Sequence, residues 1–325
     1  MNALRKAAIS AEIFRVLLAA LLLALSGSPL LAQQPAPVRN DLQRLRPGTV
    51  FRDCVGCPEM VVVPPGSVTV GPTDDGAERM GFEEPRYTLT ITRAIGVGRY
   101  EVTRGQFARF VQESGHKVDG GCFVWNGSRY LQDASRDWRN PGFAQKDNEP
   151  VVCVNWNDAK AYSEWLTKTT GEFYRLPTEE EWEYAARAGR LVSRPWGDKP
   201  QQACRYANVA DTSAKRGVAG TVSWEFHECN DHHAHTAPVG SYPPNAFGLY
   251  DMLGNAWEWT EDCWSDENGG APGDDPDWLN KVCSQRVLRG GAWVDSPTFV
   301  SYDFRFFIGS RDRDFYAGFR VVRAD

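Results

Sequence analysis

The chain has 325 residues, 42% hydrophobic and 24% charged, a composition that suits a globular protein of one large or two small domains. Its formal charge of −6 argues against nucleic acid as a partner, because phosphate binding is driven by clustered Lys and Arg. Twelve Trp point to a core filled by broad rings rather than by long regular elements.

Arg5, Lys6 and Arg15 flank an apolar run at 16–25, and small and apolar residues follow as far as Ala32. This is the pattern of a secretory leader over 1–32. The run is too short to cross about 30 Å of hydrocarbon as a helix; the alternative is an uncleaved anchor. Removing 1–32 takes away Arg5, Lys6, Arg15 and Glu12, and the formal charge moves to −8. The expected protein is periplasmic or secreted, not integral to the membrane once the leader is cleaved. Residues 33–53, rich in Gln, Pro and Arg, are expected to be a flexible lead-in. A single domain is expected over 54–325.

Within that domain, Met60-Val-Val-Val-Pro64 is strand-like and Pro65-Gly66 turns the chain. Tyr87-Thr-Leu-Thr-Ile-Thr92 alternates with period two and predicts a second strand. Thr103 and Gln106 have capping-box spacing, and the helix they open would bury Phe107, Phe110 and Val111. Asn155 to Asp158 opens a second helix with Ala159, Tyr162, Trp165 and Leu166 on one face, stopped by Gly171. Thr178 and Glu181 open a third, running through Trp182 to Ala188 with Gly189 as its stop. The stretches 190–246 and 264–281 are rich in Gly, Pro, Asn and Asp and are expected to be irregular.

All eight cysteines follow the leader: Cys54, Cys57, Cys122, Cys153, Cys204, Cys229, Cys263 and Cys283. An even number in an exported chain predicts disulfides. Cys54-Val-Gly-Cys57 could instead be a redox or zinc half-motif, but no second CxxC accompanies it. Sequence leaves connectivity open; the expectation is sequential pairing, 54–57, 122–153, 204–229 and 263–283, each closing a short loop.

Seven segments in order resemble the formylglycine-generating enzyme, or sulfatase-modifying factor, family. They are MVVVPPG at 60–66, GRYEVT at 98–103, PVVCVNW at 150–156, YRLPTEEEWEYAAR at 174–187, GLYDMLGNAWEWT at 248–260, RGGAW at 289–293 and GFRVV at 318–322. The resemblance implies an α+β, C-type-lectin-like fold with little regular secondary structure, stapled by disulfides and calcium. Family members oxidise a sulfatase cysteine to formylglycine with molecular oxygen and a copper ion held by two cysteines. Those cysteines follow the Gly-Gly-aromatic motif. Here Asp295 stands at the first position, and Val300 or Pro297 at the second, depending on where a gap falls. Cuprous copper needs soft sulfur ligands, so copper is not expected.

For calcium, the resemblance implies two structural sites. One matches Asn208, the Val209 carbonyl, Asp231 and the His233 carbonyl; the other matches Asp251, the Gly254 and Ala256 carbonyls, and Glu258. Hard cations take such oxygen ligands from irregular loops, although Asp251 and Glu258 could equally cap backbone amides. The tract HECNDHHAH at 227–235 could hold a transition metal through its imidazoles or be a polar loop beside the first calcium set. The family's peptide groove would present Trp293, Tyr302, Asp303 and Arg320 as binding residues, with Asp295 and Arg305 as candidate catalytic groups. A carboxylate in a cleft can act as a base if burial raises its pKa; the competing reading pairs Asp295 and Asp303 with Arg305 or Arg320 on the surface. Three functions follow. The first is a non-catalytic module binding a peptide, a glycan, a protein or a small exported metabolite. The second is a divergent oxidoreductase like the siderophore-maturation members, which also lack the cysteine pair. The third is a regulator of a sulfatase or of a true family enzyme.

Overall fold

The computed structural model describes residues 41–70, 87–217, 225–264 and 283–324. The expected leader, the first part of the lead-in and most of 264–281 lie outside them. Strands β1 (Val50–Phe51), β2 (Met60–Val63), β5 (Ile95–Gly98), β13 (Val322–Ala324) and β8 (Phe173–Arg175) form an antiparallel sheet in that spatial order. β2 is buried at every position, which explains a continuous apolar run where a half-exposed strand would alternate. Insertion of β13 between β5 and β8 means the sheet is complete only when the last residues of the domain are in place.

A second sheet has the order β11 (Arg305–Gly309), β10 (Gln285–Arg289), β9 (Trp257–Cys263) and β12 (Ala317–Gly318), with β12 parallel to β9. Two further pairs, β3 (Gly66–Val70) with β4 (Tyr87–Ile91) and β6 (Cys122–Trp125) with β7 (Tyr130–Asp133), form separate two-stranded antiparallel sheets. The lead-in expected over 33–53 is in part folded: Leu42 is fully buried, and β1 pairs with β2. Apolar side chains at 42 and 51 reach the core despite the polar composition around them, so ordered packing begins upstream of Cys54.

The helices start where their caps require. In α1 (Arg104–Ser114), Thr103 Oγ1 accepts from the Gln106 amide at 3.2 Å while Gln106 Oε1 accepts from the Thr103 amide at 2.9 Å. Asn155 and Asp158 do the same for α2 (Trp156–Thr170), and Gly171 ends it in the left-handed conformation. Thr178 and Glu181 cap α3 (Glu179–Arg187), but here Ala188, with φ 46°, takes the left-handed position expected for Gly189. The Ala188 amide closes on the Tyr184 carbonyl at 3.1 Å, so the helix stops one residue early. A short α4 (Thr212–Gly217) follows. The four disulfides are 54–57, 122–153, 204–229 and 263–283, as the sequential pairing expects.

Aromatic rings carry the core. Phe107 and Tyr162 meet Phe319 edge-on, and Trp257, Trp259 and Trp293 are buried in the same cluster. Helix α3 lies over the second cluster, with Trp182 packed among Val61, Val63 and Val97. Its acidic face, unusually, is also buried. Glu179 Oε1 accepts from Arg289 Nη1 at 2.8 Å and from Arg305 Nε at 2.7 Å, and Glu179 Oε2 accepts from Arg305 Nη2 at 2.9 Å. Glu183 bonds Arg187 and Arg289 at 2.8 Å each, and Arg187 reaches Asp303. Removing one member of such a lattice strands a charge in a low dielectric. Glu179→Gln should therefore lower the unfolding free energy by about 3 kcal/mol, read as a shifted urea midpoint; an unchanged midpoint would contradict the lattice.

Candidate functional site

Arg289 and Arg305 face each other across β10 and β11 and frame the loop 290–304, which carries most of the groove residues expected from sequence. Gly290 and Gly291 start this loop with φ of 101° and 77°, and a Cβ on Gly291 would sit 3.0 Å from Val300 Cγ2. Arg194 braces the far side, donating to the carbonyls of Val300 at 2.8 Å and Pro297 at 3.0 Å. Within this frame Asp295 folds back on its own turn: its Oδ2 accepts from the Ala292 amide at 2.7 Å, and the Trp257 indole also donates to the carboxyl.

Asp295 lines a cavity of about 510 Å3 walled by Trp125, Tyr130, Phe299, Phe315 and Tyr316. That volume suits a small ligand. Burial among these rings pushes the Asp295 pKa up to about 7, against the help its two hydrogen bonds give the ionised form. Trp293, 1% exposed, lines a neighbouring cavity of about 330 Å3 that shares Trp125 and Phe315 with the first. Its ring meets Phe143 and His235 edge-on, and its Nε1 has no partner.

The other expected groove residues are spent elsewhere. Tyr302 lines a separate cavity of about 70 Å3 beside Leu249 and Met252. Asp303 is buried against Arg187 rather than paired with Arg305 or Arg320 on the surface. Arg305, expected as a catalytic group, gives its guanidinium to Glu179. Arg320 is fully buried, with Nε and Nη2 each 2.6 Å from Glu258 and Nη1 2.9 Å from the Gly98 carbonyl. All three hold the scaffold.

The first expected calcium set is gathered. Asp231 Oδ2 accepts from the Val209 amide at 3.0 Å and Oδ1 from the His233 amide at 2.8 Å, while Asn208 Oδ1 is buried with no partner. Burial, with Asp211 alongside, pushes the Asp231 pKa up to about 7. Cys204 Sγ and the carboxylates of Asp211 and Asp231 lie within 4.8 Å of one another, but Cys204 is bonded to Cys229 and offers no thiolate. In the second set Asp251 is bonded by the Gly240 amide at 2.6 Å. Both Glu258 oxygens are held by Arg320, and Oε2 also by the Trp182 indole at 2.7 Å. The unpartnered oxygen there belongs to Glu101, whose pKa is raised well above normal by burial and by Asp251 and Glu258. Asn255 joins the two sets, accepting from Asn208 Nδ2 at 3.0 Å and donating to Glu101 at 3.0 Å.

Sequence reasoning overlooked Glu101 and Asp211. Glu101 sits in the quoted GRYEVT segment, and its position inside a recognisable motif was the signal available. The histidine tract does not assemble: among the described residues no three imidazoles meet. His227 is buried and its pKa pushed down to about 4 by desolvation, whereas His235 stacks on Phe143 at 4.5 Å.

The two small sheets, few helices and loop-built cavity define a formylglycine-generating-enzyme-like fold. A model of the sulfatase-modifying factor enzyme 1-like domain matches residues 47–325, and the chain belongs to that family. Mouse formylglycine-generating enzyme is 32% identical over 285 residues, 79% of this chain and 71% of its own length. The bovine protein called inactive C-alpha-formylglycine-generating enzyme 2 is 32% identical over 267 residues, 73% of this chain and 77% of its own. PvdO from Pseudomonas aeruginosa has a similar structure, with a TM-score of 0.73 and 37% identity, covering 86% of this chain and all of that one.

The pKa of Asp295 has a consequence for stability. Its folded value of about 7 lies above the ordinary carboxyl value of about 4, so its contribution is intact below pH 4 and is lost as pH rises toward 7. Asp295→Asn should thus gain thermal stability relative to the parent protein as pH rises from about 4 to about 8. Melting curves whose difference stays constant across that range would show an ordinary carboxylate.

Proposed function

We propose that this chain is an extracytoplasmic member of the family that binds a ligand in the Asp295 cavity and does not form formylglycine by the copper route. The observation that carries this reading is the filling of the copper positions. Asp295 replaces one thiolate, and the alternatives for the second are Val300, which is fully buried, and Pro297. All eight cysteines are in disulfides. A carboxylate with an apolar partner does not hold monovalent copper, and no step is derived through that ion. The leader expected over 1–32 and the four disulfides support a periplasmic or secreted location. The ligand would be an exported small molecule or the side chain of a peptide or protein, a sulfatase included.

A second reading keeps catalysis. A carboxyl with a pKa of about 7 can take a proton at neutral pH, and Asp295 is so placed in a largely apolar cavity. That property, with the similarity to PvdO, supports a divergent oxidoreductase in which Asp295 serves as the base. The similarity to a mammalian protein called inactive supports instead a regulator that grips a sulfatase or an active family enzyme. Retention of a sulfatase on the immobilised protein, without change in that sulfatase, would single out the regulator.

We also propose calcium as a structural ion. Asn208 Oδ1, Asp231 and the Val209 and His233 carbonyls fit a hard cation, and the buried Asn208 oxygen lacks any other partner. The second set fits less well as expected from sequence, because Glu258 is committed to Arg320. Glu101 beside Asp251 is the better donor there.

Two tests follow. Incubating the purified protein with a Cys-x-Pro-x-Arg peptide, copper and oxygen should leave the cysteine intact in the mass spectrum. Appearance of formylglycine would restore the oxidase role. Excess EGTA should lower the melting temperature, since an ion that binds only the folded state stabilises it by mass action; overlapping curves would remove calcium from the account.

A further inference from the structure

The walls of the Asp295 cavity share one electrostatic character. Hairpin β6–β7 contributes Trp125 and Tyr130, which are cross-strand partners, and the segment before β12 contributes Phe315 and Tyr316. Tyr130 lies near-parallel to Tyr316, with ring centroids 6.5 Å apart at 18°, so the two phenol rings face each other, while Phe123 stacks on Tyr130 at 5.4 Å. Asp295 and the exposed Glu225 are the two carboxyls among the described lining residues. No Lys, Arg or His is among the described lining residues. Aromatic faces and carboxylates both attract positive charge, and a water-excluding wall strengthens that attraction. An anionic ligand would meet two acids with no base to offset them.

We propose that the cavity recognises an organic cation, an alkylammonium or a similarly delocalised group, seated against the Trp125, Tyr130 and Tyr316 faces and paired with the Asp295 carboxylate. This rests on the reading of the cavity as a ligand site and specifies what that site takes. Ionisation of Asp295 is part of the recognition, because burial raises its pKa to about 7 and a bound cation favours the charged form. The groups around it are Tyr130 on the hairpin, Glu225, and Tyr316 with Asp314 and Asp312 beyond it. All are acids; among the described residues, the bases Arg136 and His235 line the neighbouring cavity that shares the Trp125 and Phe315 walls.

Choline and its neutral carbon isostere, dimethylbutanol, have nearly the same shape and separate charge from fit. Ligand-observed NMR titration of the full mature protein should show choline binding on the order of tenfold tighter at pH 8, a difference within the range of desolvated cation–π contacts. The preference should shrink toward pH 6, as Asp295 takes up its proton, and should fall in Asp295→Asn. Glu225→Gln, a change at an exposed position, should reduce it to a smaller extent and guards against misfolding of the first variant. Equal binding of the two probes would overturn the cation proposal and leave the cavity as a ligand site. Binding of neither would remove both.

Discussion

A single carboxylate, that of Glu179, decides where the loop at 290–304 can sit. It receives Arg289 from the end of β10 and Arg305 from the start of β11, the two residues that face each other at the loop's stem. The stem is thereby tied to the first turn of α3, and Glu183 and Arg187 extend the tie to Asp303 within the loop. These groups are all nearly inaccessible to water, so each charge depends on its partners being present. An isolated loop of fifteen residues with two glycines at its start would have many conformations; this one has its ends and one interior point fixed.

That fixity explains how the family's chemistry can be changed without loss of the fold. The residues that hold the loop are arginines and glutamates outside the copper positions, and the two glycines that let it turn leave no room for a Cβ, which would crowd Trp182 at 290 and Val300 at 291. Exchanging a thiolate for Asp295 leaves these supports alone. So would a change at the second position, whether it falls on the buried Val300 or on Pro297. The cost falls on Asp295 itself, which keeps two hydrogen bonds but sits among rings that disfavour its charge. A group in that state gains from whatever positive charge enters the cavity, and this is why its poor solvation is better understood as a property of the site than as a defect of packing.

The sequence was legible where the interactions are local. Capping boxes join residues three apart, and α1, α2 and α3 begin where those boxes predict. The disulfides close loops of 3 to 31 residues, within reach of a guess based on order alone. The partners of Arg305, Asp303 and Arg320 lie 126, 116 and 62 residues away, beyond the reach of local sequence patterns. In helix α3, Glu181 serves the cap expected of it, but Glu179 and Glu181 are also buried because arginines from the second sheet and from β8 converge on them. Charge patterns in sequence identify ions but not which of them meet in the interior.

The back of the loop is tied to the calcium-type sets by the main chain. Ala210 N donates to the Asp295 carbonyl at 3.2 Å, and Trp293 N donates to the Asn255 carbonyl at 3.1 Å. Ala210 directly follows Asn208 and Val209, and Asn255 is the residue that bridges Asn208 to Glu101. Gly254 lies so close to this strand of contacts that a Cβ there would come within 2.3 Å of the Asn208 carbonyl oxygen. The ground beneath Asp295 is therefore continuous with the buried oxygens of Asn208 and Glu101. Two main-chain hydrogen bonds thus hold the back of the loop to the segments that carry those oxygens, whereas its stem is held by the arginine clamp and its far side by Arg194.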